Sequence, residues 1–188
     1  MIQKKYIDPN ELLNDSFRLA AKIYKSGFRP SFIVGVWRGG SPIGIAVQEF
    51  LSYLGIESDH IAIRSSVYFG INQQDKKVEV HNLDYLLKQM NSEDRLLIVD
   101  DVFDSGRSVV AILDTLHHKA RKNLAHDVRI ATPWYKPTNN VTDIVPDYFL
   151  YETDKWLVFP HEIKDLSREE IMTNKADVGN ILSELEQD

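Results

Sequence analysis

Apolar residues along this chain follow two patterns, one typical of amphipathic helices and one typical of buried strands. Residues 10–26 carry apolar side chains at helical spacing and stop at Gly27, as expected of a helix that ends at a glycine. Continuous apolar runs at 32–37 and 96–99 predict strands that are buried on both faces. Because the two kinds of element alternate, we expect an α/β fold with a doubly wound, mostly parallel sheet.

The expected elements are helix 10–26, strand 32–37, helix 42–54, strand 60–64, helix 83–90, strand 96–99, helix 106–121, strands 128–132 and 147–151, and helical residues within 165–185. Ser41 is the expected N-cap of the second helix, and Ser167 with Glu170 has the spacing of a capping box. The chain of 188 residues contains no repeat, so we expect one domain over 1–188. The N-terminal residues and those after about Pro133 would form a small hood subdomain over the strand ends.

Composition and charge narrow the classes of function. The chain contains no cysteine, which excludes disulfides and thiolate chemistry and makes a cytoplasmic location the default expectation. No apolar run approaches the roughly 18 residues of a membrane span, so no membrane partner is expected. The formal net charge of −6 argues against a nucleic-acid partner, because proteins that bind nucleic acids usually carry a basic surface.

Acidic and hydroxyl side chains follow the strand at 96–99. Asp100 and Asp101 come directly after it, Asp104 follows three residues later, and a small polar turn at 105–108 opens the next helix. Ligands bind at this edge of open α/β sheets, and a helix N-terminus favours an anion. The pattern therefore predicts a site for a phosphate beside sugar hydroxyls or a metal. The alternative is a strand end whose acids are solvated or cap the helix.

This stretch resembles the phosphoribosyl-pyrophosphate (PRPP) motif of the type I phosphoribosyltransferases: a strand, two acids, two apolar residues, Asp, Ser/Thr, Gly, any residue, Ser/Thr. The resemblance implies the fold of that family. It also implies that Asp100 and Asp101 hold the ribose hydroxyls of PRPP, partly through Mg²⁺ and water. The residues implied to bind the 5′-phosphate are Ser105, Gly106, Arg107 and Ser108.

A second turn, Arg38–Gly40, follows the strand at 32–37. Two glycines allow the backbone to approach a ligand closely, and Arg38 supplies a positive charge, although an ordinary turn with a surface arginine has the same composition. In the resembled family, the corresponding turn binds pyrophosphate and often contains a cis peptide bond that does not involve proline. The resemblance therefore implies that Arg38 and Gly39 bind pyrophosphate, with the cis bond at Arg38–Gly39.

The resemblance also implies a site for a purine base. Asp104 would exchange a proton with N7, and Lys136 would donate to O6, as in the 6-oxopurine enzymes. Trp156 would stack on the base, and main-chain groups of Leu157 would contact its edge at C2. Glu162 lies near a position where bacterial xanthine-guanine enzymes carry a metal-binding acid. Without the family pattern, Lys136 is typical of a surface loop and Trp156 of a core.

Residues 65–82 are polar and are expected to be irregular, which is long for a connection within a domain and indicates a lid over the site. The family's mobile loop often carries adjacent Ser and Tyr, whereas Val67 separates Ser66 from Tyr68 here. A disordered polar connection is the alternative.

These features predict purine salvage. The enzyme would transfer ribose 5-phosphate from PRPP to N9 of hypoxanthine, guanine or xanthine and release pyrophosphate, with Mg²⁺ as cofactor. The family implies a homodimer or homotetramer. Three alternatives stay open: a PRPP-binding regulator with the same fold, a phosphoribosyltransferase for another nucleobase, such as orotate, and an unrelated phospho-acceptor domain.

Overall fold

A computed structural model of the chain describes residues 3–69 and 76–185. Its helices are α1 (Pro9–Lys25), α2 (Gly40–Tyr53), α3 (Asp84–Gln89), α4 (Arg107–Ala120), α5 (Arg168–Asn174) and α6 (Ala176–Glu184). Its strands are β1 (Lys4–Tyr6), β2 (Phe32–Trp37), β3 (Asp59–Phe69), β4 (Lys76–His81), β5 (Arg95–Val99), β6 (Val102–Phe103), β7 (Asp127–Ala131), β8 (Trp134–Tyr135), β9 (Tyr151–Glu152) and β10 (Trp156–Val158). Across the described ranges, no helix is both long and apolar enough to cross a bilayer.

A five-stranded sheet in the order β4-β3-β2-β5-β7 forms the centre of the larger part of the molecule. All of its neighbouring pairs are parallel except β3 with β4. The parallel pairs confirm the mostly parallel α/β sheet that the alternation of elements predicts. Since β2 pairs with β3 on one side and β5 on the other, the carboxyl ends of all three strands lie at one edge.

Different helices cover the two faces of this sheet. Phe32 and Val34 pack in a buried cluster that includes residues of α3 and α4. Gly35 points to the opposite face, where its Cα lies within van der Waals range of Gly44 in α2. Burial on both faces explains why β2 and β5 are nearly continuous apolar runs rather than alternating ones.

The chain divides into two compact units, one from Leu13 to Asp154 and a smaller one with the residues up to Leu12 and from Lys155 onward. In the smaller unit, β1 pairs in parallel with β10. The subdomain boundary expected near Pro133 is wrong, because β8 and β9 pair with each other and with β6 inside the larger unit. A single domain over 1–188 stays a prediction.

Two expected strands differ from those observed. The strand expected at 60–64 continues to Phe69 as β3 and pairs with β4, so much of the expected irregular segment is an antiparallel hairpin. Residues 70–75, the middle of the expected lid, lie outside the described residues. Of the strand expected at 147–151, the structure shows a single bridge from Tyr148 to Ala131 and the first residue of β9, Tyr151.

Helix ends show one failed expectation and one success. The N-cap of α2 is Gly39 rather than Ser41, which lies within the helix. The capping box before α5 is confirmed: Ser167 Oγ accepts from Glu170 N, and Glu170 Oε2 accepts from Ser167 N. Glu170 also joins α5 to β1, because its Oε1 accepts from Lys4 Nζ and Tyr6 Oη.

Replacing Glu170 with Gln should lower the melting temperature at pH 7, because the amide removes the charge that Lys4 contacts. The hydrogen bond from Lys4, followed by that from Ser167, lowers the pKa of Glu170 from 4.5 to about 2. The folded state has the lower pKa, so this stabilisation is present above about pH 4.5 and is lost as the pH falls towards 2. Thermal melts of Glu170→Gln and wild type should therefore converge in acid. Glu169→Gln on the same turn is the control, and equal melting temperatures of wild type and Glu170→Gln at pH 7 would contradict the prediction.

Candidate active site

Two carboxylates end the central strand β5. Asp101 N donates to Asp100 Oδ1 at 2.9 Å, and Val102 N donates to Asp101 Oδ1 at 2.8 Å, so the backbone fixes one oxygen of each. Removal from water, followed by the nearby charge of Asp101, raises the pKa of Asp100 well above its ordinary value. The pair therefore favours a cation or hydroxyl donors as a partner.

The turn after β6 opens into α4 through Gly106, which has a φ of +77°. A Cβ at this position would lie 2.6 Å from Thr142 Oγ1, so both the backbone conformation and the space require glycine. The first turn of a helix presents N–H groups that have no partner within the helix. A cavity of about 70 Å³ lies at this turn and is lined by Asp100, Val102, Phe103, Asp104, Ser105, Gly106, Ser108 and Val109. The cavity thus combines a helix N-terminus with hydroxyls, as an anion site requires.

The turn Arg38–Gly40 packs directly on the end of β5. A Cβ on Gly39 would lie 1.6 Å from Asp101 Oδ2, and one on Gly40 would lie 2.4 Å from Val99 O. Arg38 is exposed. The cis peptide bond is Trp37–Arg38, so the expectation of Arg38–Gly39 is wrong by one residue. The structure thus brings the second predicted turn against the predicted acids.

Lys136 reaches the site from a distant part of the sequence. Its Nζ lies 3.0 Å from Asp104 Oδ2, and its side chain is 7% exposed while that of Asp104 is 44% exposed. Parallel pairing of β6 with β8 and a bond from Lys136 N to Phe103 O at 2.9 Å hold the two residues together. The predicted O6 donor and the predicted proton carrier are therefore direct neighbours.

Asn139 also contacts Asp104, and sequence reasoning missed it. Its Nδ2 donates to Asp104 Oδ1 at 2.9 Å. The available signal was its place in a Lys-Pro-Thr-Asn turn just after Lys136, where proline and asparagine are typical turn residues. Periodicity carries no information about which side chain in such a turn faces a site.

Three more of the predicted residues, Trp156, Leu157 and Glu162, belong to the smaller unit. Trp156 is 54% exposed and begins β10, whereas Leu157 is buried in that strand. Glu162 Oε2 accepts from Phe159 N at 3.0 Å, which closes a local turn. The roles of these three residues in base or metal binding stay predictions. The phosphate-binding roles of Arg107 and Ser108 also stay predictions; Arg107 is exposed at the start of α4 in the larger unit.

The donor set at the end of β5 fits Mg²⁺. Asp100 and Asp101 offer hard carboxylate oxygens, and Mg²⁺ commonly uses one or two carboxylates together with substrate oxygens. Within residues 3–69 and 76–185, no group of three or more His, Cys, Asp or Glu side chains is arranged to hold a metal. Any Mg²⁺ held by this pair would therefore share its remaining positions with water and a substrate.

Comparison with known proteins assigns the family. A family model described as phosphoribosyl transferase domain matches residues 4–168. The chain belongs to this family of transferases. It is 28% identical to a hypoxanthine-guanine phosphoribosyltransferase from Streptococcus mutans over 158 residues, 80% of this chain and 79% of that protein. A Lactococcus lactis protein of the same name is 25% identical over 151 residues, which are 78% of this chain and 75% of that one.

A solved structure agrees with this assignment. The purine phosphoribosyltransferase from Pyrococcus horikoshii is 28% identical to this phosphoribosyltransferase, with a TM-score of 0.68, and the match covers 87% of this chain and 97% of that one. The type I phosphoribosyltransferase fold, expected from residues 96–108, is thereby confirmed.

Gly40→Ala should destabilise this phosphoribosyltransferase by about 1–3 kcal/mol and abolish PRPP binding, because the new Cβ meets the backbone of Val99 and Asp100, which cannot rotate away. Gly44→Ala on the same helix is the control. Its Cβ would meet Gly35 Cα at 3.4 Å, and alanine favours helix by up to about 1 kcal/mol. Thermal melts and calorimetric titration with PRPP test both variants. Equal melting temperatures for the two variants would contradict the prediction.

Proposed function

We propose that this protein is a purine salvage enzyme, a 6-oxopurine phosphoribosyltransferase of the hypoxanthine or xanthine-guanine type. It transfers ribose 5-phosphate from PRPP to N9 of the base and releases pyrophosphate. The observation that carries the proposal is the contact between Lys136 and Asp104 beside the phosphate turn. The relatives named as hypoxanthine-guanine and purine phosphoribosyltransferases support the same class of substrate.

PRPP binds along the carboxyl edge of the sheet in this proposal. The turn Ser105–Ser108 takes the 5′-phosphate through backbone N–H groups and hydroxyls. Asp100 and Asp101 take the ribose hydroxyls and hold Mg²⁺, which when bound neutralises charge on the pyrophosphate oxygens. Arg38 and the N–H groups of its turn take the pyrophosphate. The close packing of Gly39 on Asp101 supports this arrangement, since it brings the two turns to one ligand.

Charge determines the chemical step. As the bond from C1 to pyrophosphate breaks, positive charge develops on the ribose ring and negative charge on the leaving oxygens. In the proposal, the exposed Arg38 contacts those oxygens, where a positive charge stabilises the transition state more than the ground state.

The base is held by groups that match a keto purine. Lys136 donates to O6, and Asp104 accepts the proton that leaves N7 as N9 attacks C1. Trp156 stacks on the ring, and the main chain of Leu157 contacts the C2 edge. Glu162 adds a weaker contact to the metal or the base. The low exposure of the Lys136 side chain supports a dedicated contact rather than a solvated surface lysine.

The proposal also includes a cytoplasmic location, which the absence of cysteine supports. It includes a homodimer or homotetramer as well, which the family resemblance supports. A PRPP-binding regulator of the same fold is the alternative. It would use the same phosphate turn but would need neither a proton carrier nor a donor to O6. The contact of Lys136 with Asp104 therefore favours the enzyme.

Purified protein with Mg²⁺ and PRPP should form a nucleoside monophosphate from hypoxanthine, guanine or xanthine, and not from adenine or orotate. Chromatographic separation of the nucleotides, with pyrophosphate release measured in parallel, checks both products. PRPP without base is the control. Binding of PRPP without turnover of any of the five bases would support the regulator instead.

Asp104→Ala should lower turnover by about 100-fold or more, in line with the loss of a general base, while the affinity for PRPP changes much less. Asp104 carries no phosphate contact in the proposal, so the two quantities separate. Steady-state kinetics with hypoxanthine and direct titration with PRPP measure them. Equal losses in both would contradict the proton-transfer role.

A further inference from the structure

The carboxylate of Asp104 is held from two sides by residues of one segment. Lys136 Nζ donates to Oδ2 at 3.0 Å, and Asn139 Nδ2 donates to Oδ1 at 2.9 Å. Each oxygen therefore has its own donor. The two donors differ in kind, since one is a cation that the proposed function assigns to the base and the other is a neutral amide without another assigned task.

Several hydrogen bonds hold the turn that carries Asn139 in place. Asn139 N and Asn140 N both donate to Lys136 O, at 3.1 and 3.2 Å. Val141 N donates to Ser105 O at 3.2 Å, next to the phosphate turn. The Asn140 side chain donates to Ile144 O at 2.8 Å. The turn is thus tied to the same strand–helix connection that carries Asp104, so the Asn139 amide keeps its place when a base enters.

Binding of a base brings a second acceptor to one of the two donors of Asp104. O6 of a keto purine is an acceptor that competes with Asp104 Oδ2 for the ammonium of Lys136. Once Lys136 donates to O6, the amide of Asn139 is the contact that continues to orient the Asp104 carboxylate. Oδ1 stays occupied and Oδ2 is turned towards N7.

We propose that Asn139 is the positioning residue of Asp104: its amide holds Oδ1 so that Oδ2 receives the N7 proton. This inference rests on the proposed function. In the step, the N9 lone pair forms the bond to C1, and the electron pair of the C1–O bond leaves with pyrophosphate. The N7–H proton moves to Asp104 Oδ2, and its electron pair returns to the purine ring.

Other charged groups around this turn are Lys136 from the turn after β8, Asp100, which lines the same cavity as Asp104, and Arg107, which begins α4 three residues after Asp104. None of them donates to Oδ1 among the described contacts. Loss of the Asn139 amide should therefore misorient the Asp104 carboxylate, because Oδ1 loses the donor that holds it.

The test compares Asn139→Ala with Asn139→Asp. The first removes the amide, and the second keeps its shape but replaces the donor with a second negative charge. We expect kcat for hypoxanthine to fall about tenfold in Asn139→Ala, as for one lost hydrogen bond to a charged group, and at least as far in Asn139→Asp. The KM for PRPP should stay within about twofold.

Thr138→Ala is the matched control, because the neighbouring Thr138 side chain donates to Asp154 and not to Asp104. It should keep the wild-type kcat and the wild-type KM for PRPP. Thermal melts of all variants separate loss of folding from loss of positioning. Restoration of activity by Asn139→Gln, which keeps the amide, would support the proposal further.

The outcomes are distinct. An active wild type with unchanged kcat in Asn139→Ala overturns the role of Asn139 and leaves the proposed function in place. Equal falls in Asn139→Ala and Thr138→Ala overturn it as well, since they indicate a general effect on the turn. A wild type that forms no nucleotide removes the proposed function and this inference together.

Discussion

Parallel pairing of β2 with β5 is the constraint on which the site depends. It brings the turn after β2 and the acids after β5 to the same sheet edge, although about 60 residues separate them. Glycine then allows the turn to pack on the strand end, with Gly39 against the Asp101 carboxylate and Gly40 against the Val99 carbonyl. Any side chain here would separate the two turns. The geometry of a ligand that spans both is therefore set by backbone contact, which is stiffer than contact between side chains.

A smaller pairing has the same effect on the other side of the site. β6 and β8 align Phe103 with Tyr135, and the residues that follow, Asp104 and Lys136, meet as a consequence. Two residues per strand are enough because the bond from Lys136 N to Phe103 O extends the ladder. Backbone hydrogen bonds thus connect the phosphate turn to the segment that carries Lys136. A shift of either segment would therefore change the contacts of Asp104.

Local signals in the sequence were sufficient to predict the central strands and the capping box. β2 was predicted to the residue, because a six-residue apolar run between turns has few alternatives. β3 was predicted to end early, at residue 64, and β4 was not predicted, since the polar residues Arg64, Ser65 and Ser66 interrupt the apolar run and the pairing partner is not visible locally. The cis bond was placed one residue too late, and Asn139 was missed, for a related reason. The first depends on how a turn packs on a neighbouring strand, and the second on which of two adjacent asparagines faces Asp104.

In the proposed function, the ion pair of Lys136 with Asp104 has a consequence for the choice of base. A lysine with a 7% exposed side chain needs acceptors, and Asp104 supplies one. A keto oxygen at C6 offers an acceptor in exchange, so Lys136 can leave Asp104 without losing a partner for its charge. An amino group at C6 offers donors to a donor, and the exchange then costs the ion pair without replacing it. In the proposed function, the base contact that gives Lys136 a new acceptor also leaves Asp104 Oδ2 available to the N7 proton. Recognition of the 6-oxo group and activation of the proton acceptor are therefore coupled, in this proposal, through the carboxylate of Asp104.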